Sequence, residues 1–517
     1  MLSKVMTYQH IVAAQRRNNP CLVGLDRFLS EPDSERRSCR ILSLDFHAGD
    51  NSRPTYKRLD IDDVPSAVYF DKAKVKGRVL IVEDLNRDLV ESLGTACNID
   101  PLFFASHLHA PFRDMVAQTP NLAILPSRRR GQNFVNIHYH RTVEIQGKLE
   151  NLNRLVRDTN VSRKVSVLLP IEDRCIALVQ HACSVLLSEQ GKGDRGWLCM
   201  CFGDDAILAG KLTREHVGII LVDAPIAEDH LSLQSDDEKR STRRANRVSS
   251  KLFLNGYEDF LEPPSLFPEW KDPDWPPFRH GLLTDLPYYW ERQPPDSFRS
   301  GNPTLLTLSY YPLKIIAAEW INYMAAMSYH IKRHEYAVEA IKGPFSELDR
   351  LNVDLRSLQI WRRRSLASQQ KINAVKQFVQ LRQRDAANDL ISDDSEGLLD
   401  DFTYLATSLD EYSRRLENML PVVTSLVQIS DSRRSFAESA NVSRLTSLAF
   451  IFVPLTFTTG LFSMNTNNGP GGDSFWVFFV VAIPITLVVF LVARPPSRVL
   501  PWLYARFRPP RASHSPV

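Results

Sequence analysis

The spacing of apolar and polar positions changes character along this chain. Over residues 1–227, short β-branched runs alternate with amphipathic stretches. "GRVLIVED" (77–84) predicts a buried strand. "NRDLVESLGTAC" (86–97) predicts a helix behind it, with Asn86 as N-cap and an acid in the first turn. "SVLLPIED" (166–173), "GWLCMCF" (196–202) and "HVGIILVD" (216–223) predict further buried strands. Strands mixed with helices predict an α/β domain over 1–227.

From 228 to 303 the periodicity is lost. "SLQSDDEKRSTRRANRVSS" (232–250) is polar and of mixed charge, and "EPPSLFPEWKDPDWPPF" (262–278) is Pro-rich. Such compositions build little core, so this stretch is expected to be an insert or linker.

After residue 304 the pattern is helical. Leu398, Phe402, Leu405, Leu409, Tyr412, Leu416, Met419, Val423 and Leu426 alternate steps of four and three, the spacing of a seam that packs helix on helix. Residues 304–443 therefore read as a helical stalk region, which Pro421 is expected to kink or break.

Charge then disappears. Residues 445–464 and 475–493 contain no Asp, Glu, Lys or Arg. About 20 helical residues cross roughly 30 Å of hydrocarbon, so 444–494 reads as a transmembrane hairpin closed by "TNNGPGGDS" (466–474). Arg433, Arg434 and Arg444 precede the first span, and Arg494, Arg498, Arg506, Arg508 and Arg511 follow the second. The loop has no Lys or Arg. By the positive-inside rule the stalk and the basic tail 495–517 are cytosolic, as are both termini. The expected fold is an α+β membrane protein with a cytosolic α/β domain, a long helical stalk and a C-terminal two-helix hairpin.

Composition narrows this picture only slightly. A net charge of +3 gives no case for a nucleic-acid partner. Cys21, Cys39, Cys97, Cys175, Cys183, Cys199 and Cys201 are scattered and odd in number, as expected for reduced thiols in a cytosolic domain. The first 25 residues lack an acid and carry Lys4, Arg16 and Arg17, which a mitochondrial presequence would also do. The plasma membrane is the expected location, with the mitochondrial inner membrane as the alternative.

Two helices cannot enclose a water-filled path, so conduction requires several copies around an axis. On the first span, Thr456, Val453, Ala449, Leu445 and Val442 share one face: a hydroxyl followed by apolar side chains, as in a narrow path that dewets. The alternative is that Thr456 bonds back to its own helix and the rest touches lipid.

"FVPLTFTTGLFSMN" (452–465) resembles the first-span signature of the CorA family of magnesium channels. Pro454, Leu455, Thr456, Phe457, Gly460, Met464 and Asn465 match, while Ser463 stands where the family's Gly-Met-Asn triplet has glycine. "NIDPLFFASHL" (98–108) and the stretch 426–450 are similar to the fungal branch of that family. The resemblance implies a homopentamer in membrane lipid that conducts divalent cations, with no cofactor beyond the transported ion, expected to be Mg²⁺. Ser463, Met464 and Asn465 would form the selectivity motif, and the Asn465 amide would be the metal-facing group. Mg²⁺ sheds water reluctantly, which suits a ring of neutral oxygens holding the hydrated ion. Asp473 is the loop's one charge, and could either concentrate cations at the outer mouth or cap the second span.

Other constellations point less clearly. The acids Asp393, Asp394, Glu396, Asp400 and Asp401 could hold a regulatory cation between copies, or simply open a helix. Gly191-x-Gly193-x-x-Gly196 follows a helix-like run and precedes a strand-like one, the reverse of a dinucleotide site, and reads as a turn. His107/His109, His138/His140 and His330/His334 lack a third ligand in register and are expected to be solvated or hydrogen-bonded. No nucleophile and base stand together, which argues against an enzyme. The competing class is a non-conducting membrane scaffold or regulator of the same fold, and a weaker one is a hairpin-anchored enzyme.

Overall fold

The computed structural model describes residues 7–31, 38–47, 53–68, 70, 74–109, 127, 131–146, 155–157, 159–171, 174–190, 215–225, 231–233, 248–261, 281–300, 302–339, 348–385, 393–464 and 474–493. These fall into two compact units. One comprises 1–337 and 358–418, the other 338–357 and 419–517.

The first unit is built on a sheet whose strands are β1 (Arg40–His47), β2 (Thr55–Leu59), β3 (Val75–Glu83), β4 (Phe134–Ile145), β6 (Val165–Val167), β7 (Cys175–Gln190), β8 (Glu215–Val222) and β10 (Ser250–Leu252). The short strands β5 (Leu155–Arg157) and β9 (Leu231–Leu233) pair separately. The main order is β10-β4-β7-β8-β3-β1-β2, with β6 also on β7. Every pairing is antiparallel except β3 with β8, which run parallel from Arg78↔Val217 to Glu83↔Val222. Those two are the predicted strands "GRVLIVED" and "HVGIILVD". Both faces are covered, which explains their continuous apolar runs.

On one face, Leu80, Val82, Ile219 and Leu221 share a core with helices α1 (Tyr8–Arg16), α2 (Val23–Ser30), α4 (Arg87–Ala96) and α5 (Pro101–Leu108), while the short α3 (Val64–Val68) adds Val64 and Val68. The N-cap expected at Asn86 is present, its side chain accepting from Leu89 N at 3.0 Å. Tyr8 lies flat against Gly94, where a Cβ would sit 2.7 Å from the ring, so that contact needs glycine. On the other face lie α6 (Leu282–Arg292), α7 (Leu305–Leu308) and α8 (Tyr310–Glu339). Trp290 of α6 meets Phe46 of β1 edge to face at 5.6 Å.

The structure departs from the sequence reading in three places. Residues 175–190, read as helix-like, form β7, the strand paired along its length with β4 from Phe134↔Leu186 to Ile145↔Cys175. Its Leu, Ala and Val residues suit a strand buried on both faces as well as a helix. Between 228 and 303, β10 extends the sheet and α6 buries Leu286, Tyr289 and Trp290, supplying core where composition suggested little. The helix α10 (Asp393–Phe462) runs through Pro421 unbroken. Pro421 is exposed, so the carbonyl it leaves unbonded can be hydrated. The stretches 191–214 and 262–280, including "GWLCMCF" and the Gly191 motif, lie outside the described residues.

Within the first unit, α9 (Leu348–Asp385) from Leu358 onward lies antiparallel to the N-terminal part of α10. Gln383 reaches Ser395 O at 2.7 Å, Gln369 reaches Asp410 at 3.1 Å, and Arg362 lies 3.7 Å from Glu417. Most of the seam read from sequence is packed, with Tyr412, Met419 and Leu426 half-buried. Leu398, Phe402, Leu405, Leu409 and Leu416 are all buried, and α9 answers with Leu358, Trp361, Ser365, Ser368, Ile372, Val375 and Val379 at the same spacing.

The second unit contains the C-terminal part of α10 and the helix α11 (Trp476–Ala493). Phe462 and Phe478 meet edge to face at 5.9 Å.

Candidate cation pathway

Among the described residues, α10 is the helix long and apolar enough to cross a membrane, and Trp476–Leu491 of α11 is a shorter apolar helix. The expected spans 445–464 and 475–493 fall on these two helices, up to Phe462 and from Trp476.

Pro454 and Thr458 of α10 and Ala482 of α11 are buried, and they mark the flanks where these helices bury surface. The proposed path residues lie elsewhere. At about 100° per residue, Thr456 is turned about 160° from Thr458 and from Pro454. On the Thr456 side, Val453 is 66 %, Leu445 70 % and Val442 62 % exposed, and Ala449, Gly460 and Ser463 are exposed too. An apolar face this open on a single chain calls for lipid or for further copies.

The hydroxyls on this helix are spoken for. Thr456 Oγ1 donates to Phe452 O at 2.6 Å and Thr459 Oγ1 to Leu455 O at 2.7 Å, while the buried Thr458 reaches Leu455 O at 2.9 Å. Each hydroxyl proton goes to the helix's own backbone, so Thr456 can present only oxygen lone pairs outward. The back-bond expected as one alternative is therefore present. It leaves the oxygen able to face a cation.

At the helix end, Ser463 N still donates to Thr459 O at 2.9 Å, and Met464 N reaches Leu461 O at 3.4 Å. The last turn tightens into i−3 bonding after Ser463, and neither residue has a positive φ. Met464 is 86 % exposed. Asn465 and Asp473 lie outside the described residues.

The acids that open α10 occupy its first turns. Ser297 donates to Asp394 Oδ2 from both its N–H and its hydroxyl, each at 3.0 Å. Lys314 Nζ lies 2.8 Å from Asp401 Oδ2. Among the described residues no three His, Cys, Asp or Glu side chains are grouped to hold a metal.

Of the histidine pairs, His107, His330 and His334 are buried, and His109, His138 and His140 are half-buried. His107 Nδ1 bonds the Ser184 hydroxyl at 2.8 Å, and His138 Nε2 bonds Ser106 O at 2.9 Å. His140 stacks on Tyr323 at 5.6 Å, and His330 lies against Trp361 at 5.3 Å. Burial lowers His107 to about 3 and His330 to about 4, so both are neutral at physiological pH.

Sequence reasoning missed the buried ion pairs. Arg163 grips Asp223 with two bonds, Nε to Oδ2 at 2.8 Å and Nη2 to Oδ1 at 3.0 Å, and Ala182 N adds a third at 2.7 Å. Despite complete burial, Arg163, His107 and Arg157 hold the Asp223 carboxyl well below the usual range. A second pair joins β4 to α8 through Arg141 Nε and Glu319 Oε1 at 2.9 Å. Both are sealed inside the first unit and are positioned for structure rather than for a ligand.

Comparison with known proteins bears on the C-terminal region. A family model described as CorA-like Mg²⁺ transporter protein matches residues 296–494. The zinc transport protein ZntB of Pectobacterium atrosepticum is 32% identical over 97 residues, which is 18% of this chain and 30% of that protein. ZntB of Pectobacterium carotovorum subsp. carotovorum is 31% identical over 97 residues, with the same coverage. The match spans less than a third of the length of these curated relatives. Among solved structures, the CorA magnesium transporter of Methanocaldococcus jannaschii aligns with 88% of this chain and 98% of its own, at 11% identity and TM-score 0.33. The full-length CmaX protein aligns with 90% and 99%, at 12% identity and TM-score 0.36.

Proposed function

We propose that this chain, whose residues 296–494 match the family model described as CorA-like Mg²⁺ transporter protein, is a member of that family and one subunit of a homo-oligomeric channel for divalent cations in a membrane. The observation that carries the reading is the exposed face of α10 at Val442, Leu445, Ala449, Val453 and Thr456, turned away from the buried Pro454 and Thr458. Copies arranged about an axis would cover that face and line a path with it. We take their number as five, as the family resemblance implies.

The ion follows from the donor set. Residues 445–472 contain no His, Cys, Asp or Glu. Zinc-selective sites use imidazole, thiolate and carboxylate, none of which lines this stretch. Neutral oxygens from Thr456, Ser463 and Asn465 suit a hydrated hard cation, with Mg²⁺ foremost. Asn465 at the outer mouth is the proposed metal-facing amide, and Met464 and Ser463 complete the motif. Asp473 adds the loop's one negative charge.

Expressing the chain in cells stripped of their own magnesium transporters tests this reading. Restored growth at low Mg²⁺, with measurable Mg²⁺ uptake, is the expected result. Correct membrane insertion without uptake of any divalent cation would reject it.

One observation favours a second reading, a non-conducting scaffold or regulator. Ser463 replaces the glycine of the family triplet and keeps its helical hydrogen bond, so the backbone opening that glycine allows is not taken here. A silent wild type that conducts once Ser463 is replaced by Gly would establish that reading instead.

A further inference from the structure

The last turn of α10 is held by one side chain. Among the described residues 459–464, Phe462 alone is half-buried and the rest are exposed. Gly460 lies in the same turn with open space where a Cβ would sit, so no packing calls for glycine there. It softens the helix just before Ser463. The backbone bonds lengthen in step, from 2.9 Å at Ser463 N to 3.4 Å at Met464 N. What Phe462 meets is Phe478, edge to face at 5.9 Å. Phe478 is itself braced at the start of α11, stacked on Phe475 at 6.2 Å and edge to face with Phe479 at 5.2 Å. Four residues from each ring along its own helix, Thr458 and Ala482 are buried, which continues the seam away from the loop. All of these residues lie in the second unit.

We infer that Phe478 is a positioning residue for the ion motif, acting through Phe462 to fix the direction of the last turn of α10. The inference rests on reading Ser463, Met464 and Asn465 as that motif. At about 100° per residue, Ser463 lies within about 20° of Thr456, seven residues earlier, and about 100° from Phe462. Pinning the Phe462 ring to α11 therefore keeps Ser463 on the Thr456 face. In lipid, apolar area alone draws two helices together weakly, because acyl chains are as apolar as the side chains. What holds this rung is the edge-to-face fit of the two rings, which their quadrupoles favour. Leucine at position 478 keeps an apolar side chain and loses that fit, whereas tyrosine keeps the ring.

Hydrogen exchange at the Ser463 and Met464 amides of the full chain in detergent tests the positioning, whether or not the chain conducts. Phe478→Leu and Phe462→Leu should each speed exchange about fivefold or more, and the double variant should exchange no faster than either alone. Phe478→Tyr should exchange as the wild type does. In liposomes, Phe478→Leu oligomers of wild-type size should change the uptake ratios among Mg²⁺, Co²⁺ and Ni²⁺ by about threefold or more, with Phe478→Tyr keeping the wild-type ratios. Should Phe478→Leu fail to assemble, Phe478→Met is read by the same outcomes. Unchanged exchange in Phe478→Leu, leucine effects that multiply in the double variant, or faster exchange with wild-type ion ratios would each overturn the inference. A wild type that moves no divalent cation would reject the channel reading, and the exchange rates would still decide whether Phe478 holds the turn.

Discussion

The Thr456 hydroxyl donates its proton to the Phe452 carbonyl, 2.6 Å away within the same helix. That bond fixes the side chain so that its oxygen can accept but not donate outward. A ring of such oxygens, one per copy, is a neutral acceptor for the water shell of a cation.

Replacing Thr456 with Val keeps the shape and removes the oxygen. Mg²⁺ uptake should fall about fivefold or more, the equivalent of about 1 kcal/mol for one lost polar contact. Thr456→Ser should retain most of the uptake, because serine can make the same back-bond. Both variants should assemble normally on native gels. Equal uptake in Thr456→Val and wild type would remove Thr456 from the path.

Ser463 is the departure from the family triplet. Its N–H holds the helix to Thr459, so the backbone stays helical at a position where a glycine could leave that geometry cheaply. Ser463→Gly should shift the relative uptake of Mg²⁺, Co²⁺ and Ni²⁺ without creating transport from nothing. Uptake of the three ions by wild type and variant, side by side, checks it. An unchanged ion order would show that the serine neither narrows the mouth nor joins the site.

Glu83, at the end of β3, gives a pH dependence. Burial lifts its carboxyl to about 7 from a usual 4.5, with Asp84 adding to the rise and Arg40 and Arg157 opposing it. Folded Glu83 thus holds its proton where the unfolded chain has lost it. The stability it contributes is fully present below about pH 4.5 and is lost as pH rises through about 7. Glu83→Gln should flatten that part of the melting-temperature profile between about pH 5 and pH 8. Identical slopes in variant and wild type over that window would refute the assignment.

What could be read from the sequence follows from how local each feature is. The Asn86 cap and the Leu398–Leu416 seam depend on neighbours within a few turns, and both stand in the structure as read. Strand β7 was mistaken because its continuous Ile-Ala-Leu-Val run fits a helix equally well. Its partner β4 lies a long way off in sequence and leaves no local trace. The burial of His181 follows from the same error, since β7 carries it into the middle of the sheet. The Arg163–Asp223 pair joins residues 60 apart and could not be read from spacing. On α10, the Thr456 face was legible because one helix turns a fixed angle per residue. Its bond to Phe452 could be raised from sequence as an alternative, and the folded geometry decides it. The Ser297–Asp394 and Lys314–Asp401 contacts, which occupy two of the acids read as a candidate cation site, needed the tertiary fold.

The central claim is that several copies present Asn465 to one hydrated cation, and flux through purified protein tests it most directly. Wild type and Asn465→Ala would be reconstituted in liposomes holding a Mg²⁺-sensitive dye, with the oligomer of each confirmed by size before and after reconstitution. The account predicts Mg²⁺ entry through wild type and its loss in an Asn465→Ala oligomer of the same size. Undiminished Mg²⁺ entry through a correctly assembled Asn465→Ala oligomer would contradict it.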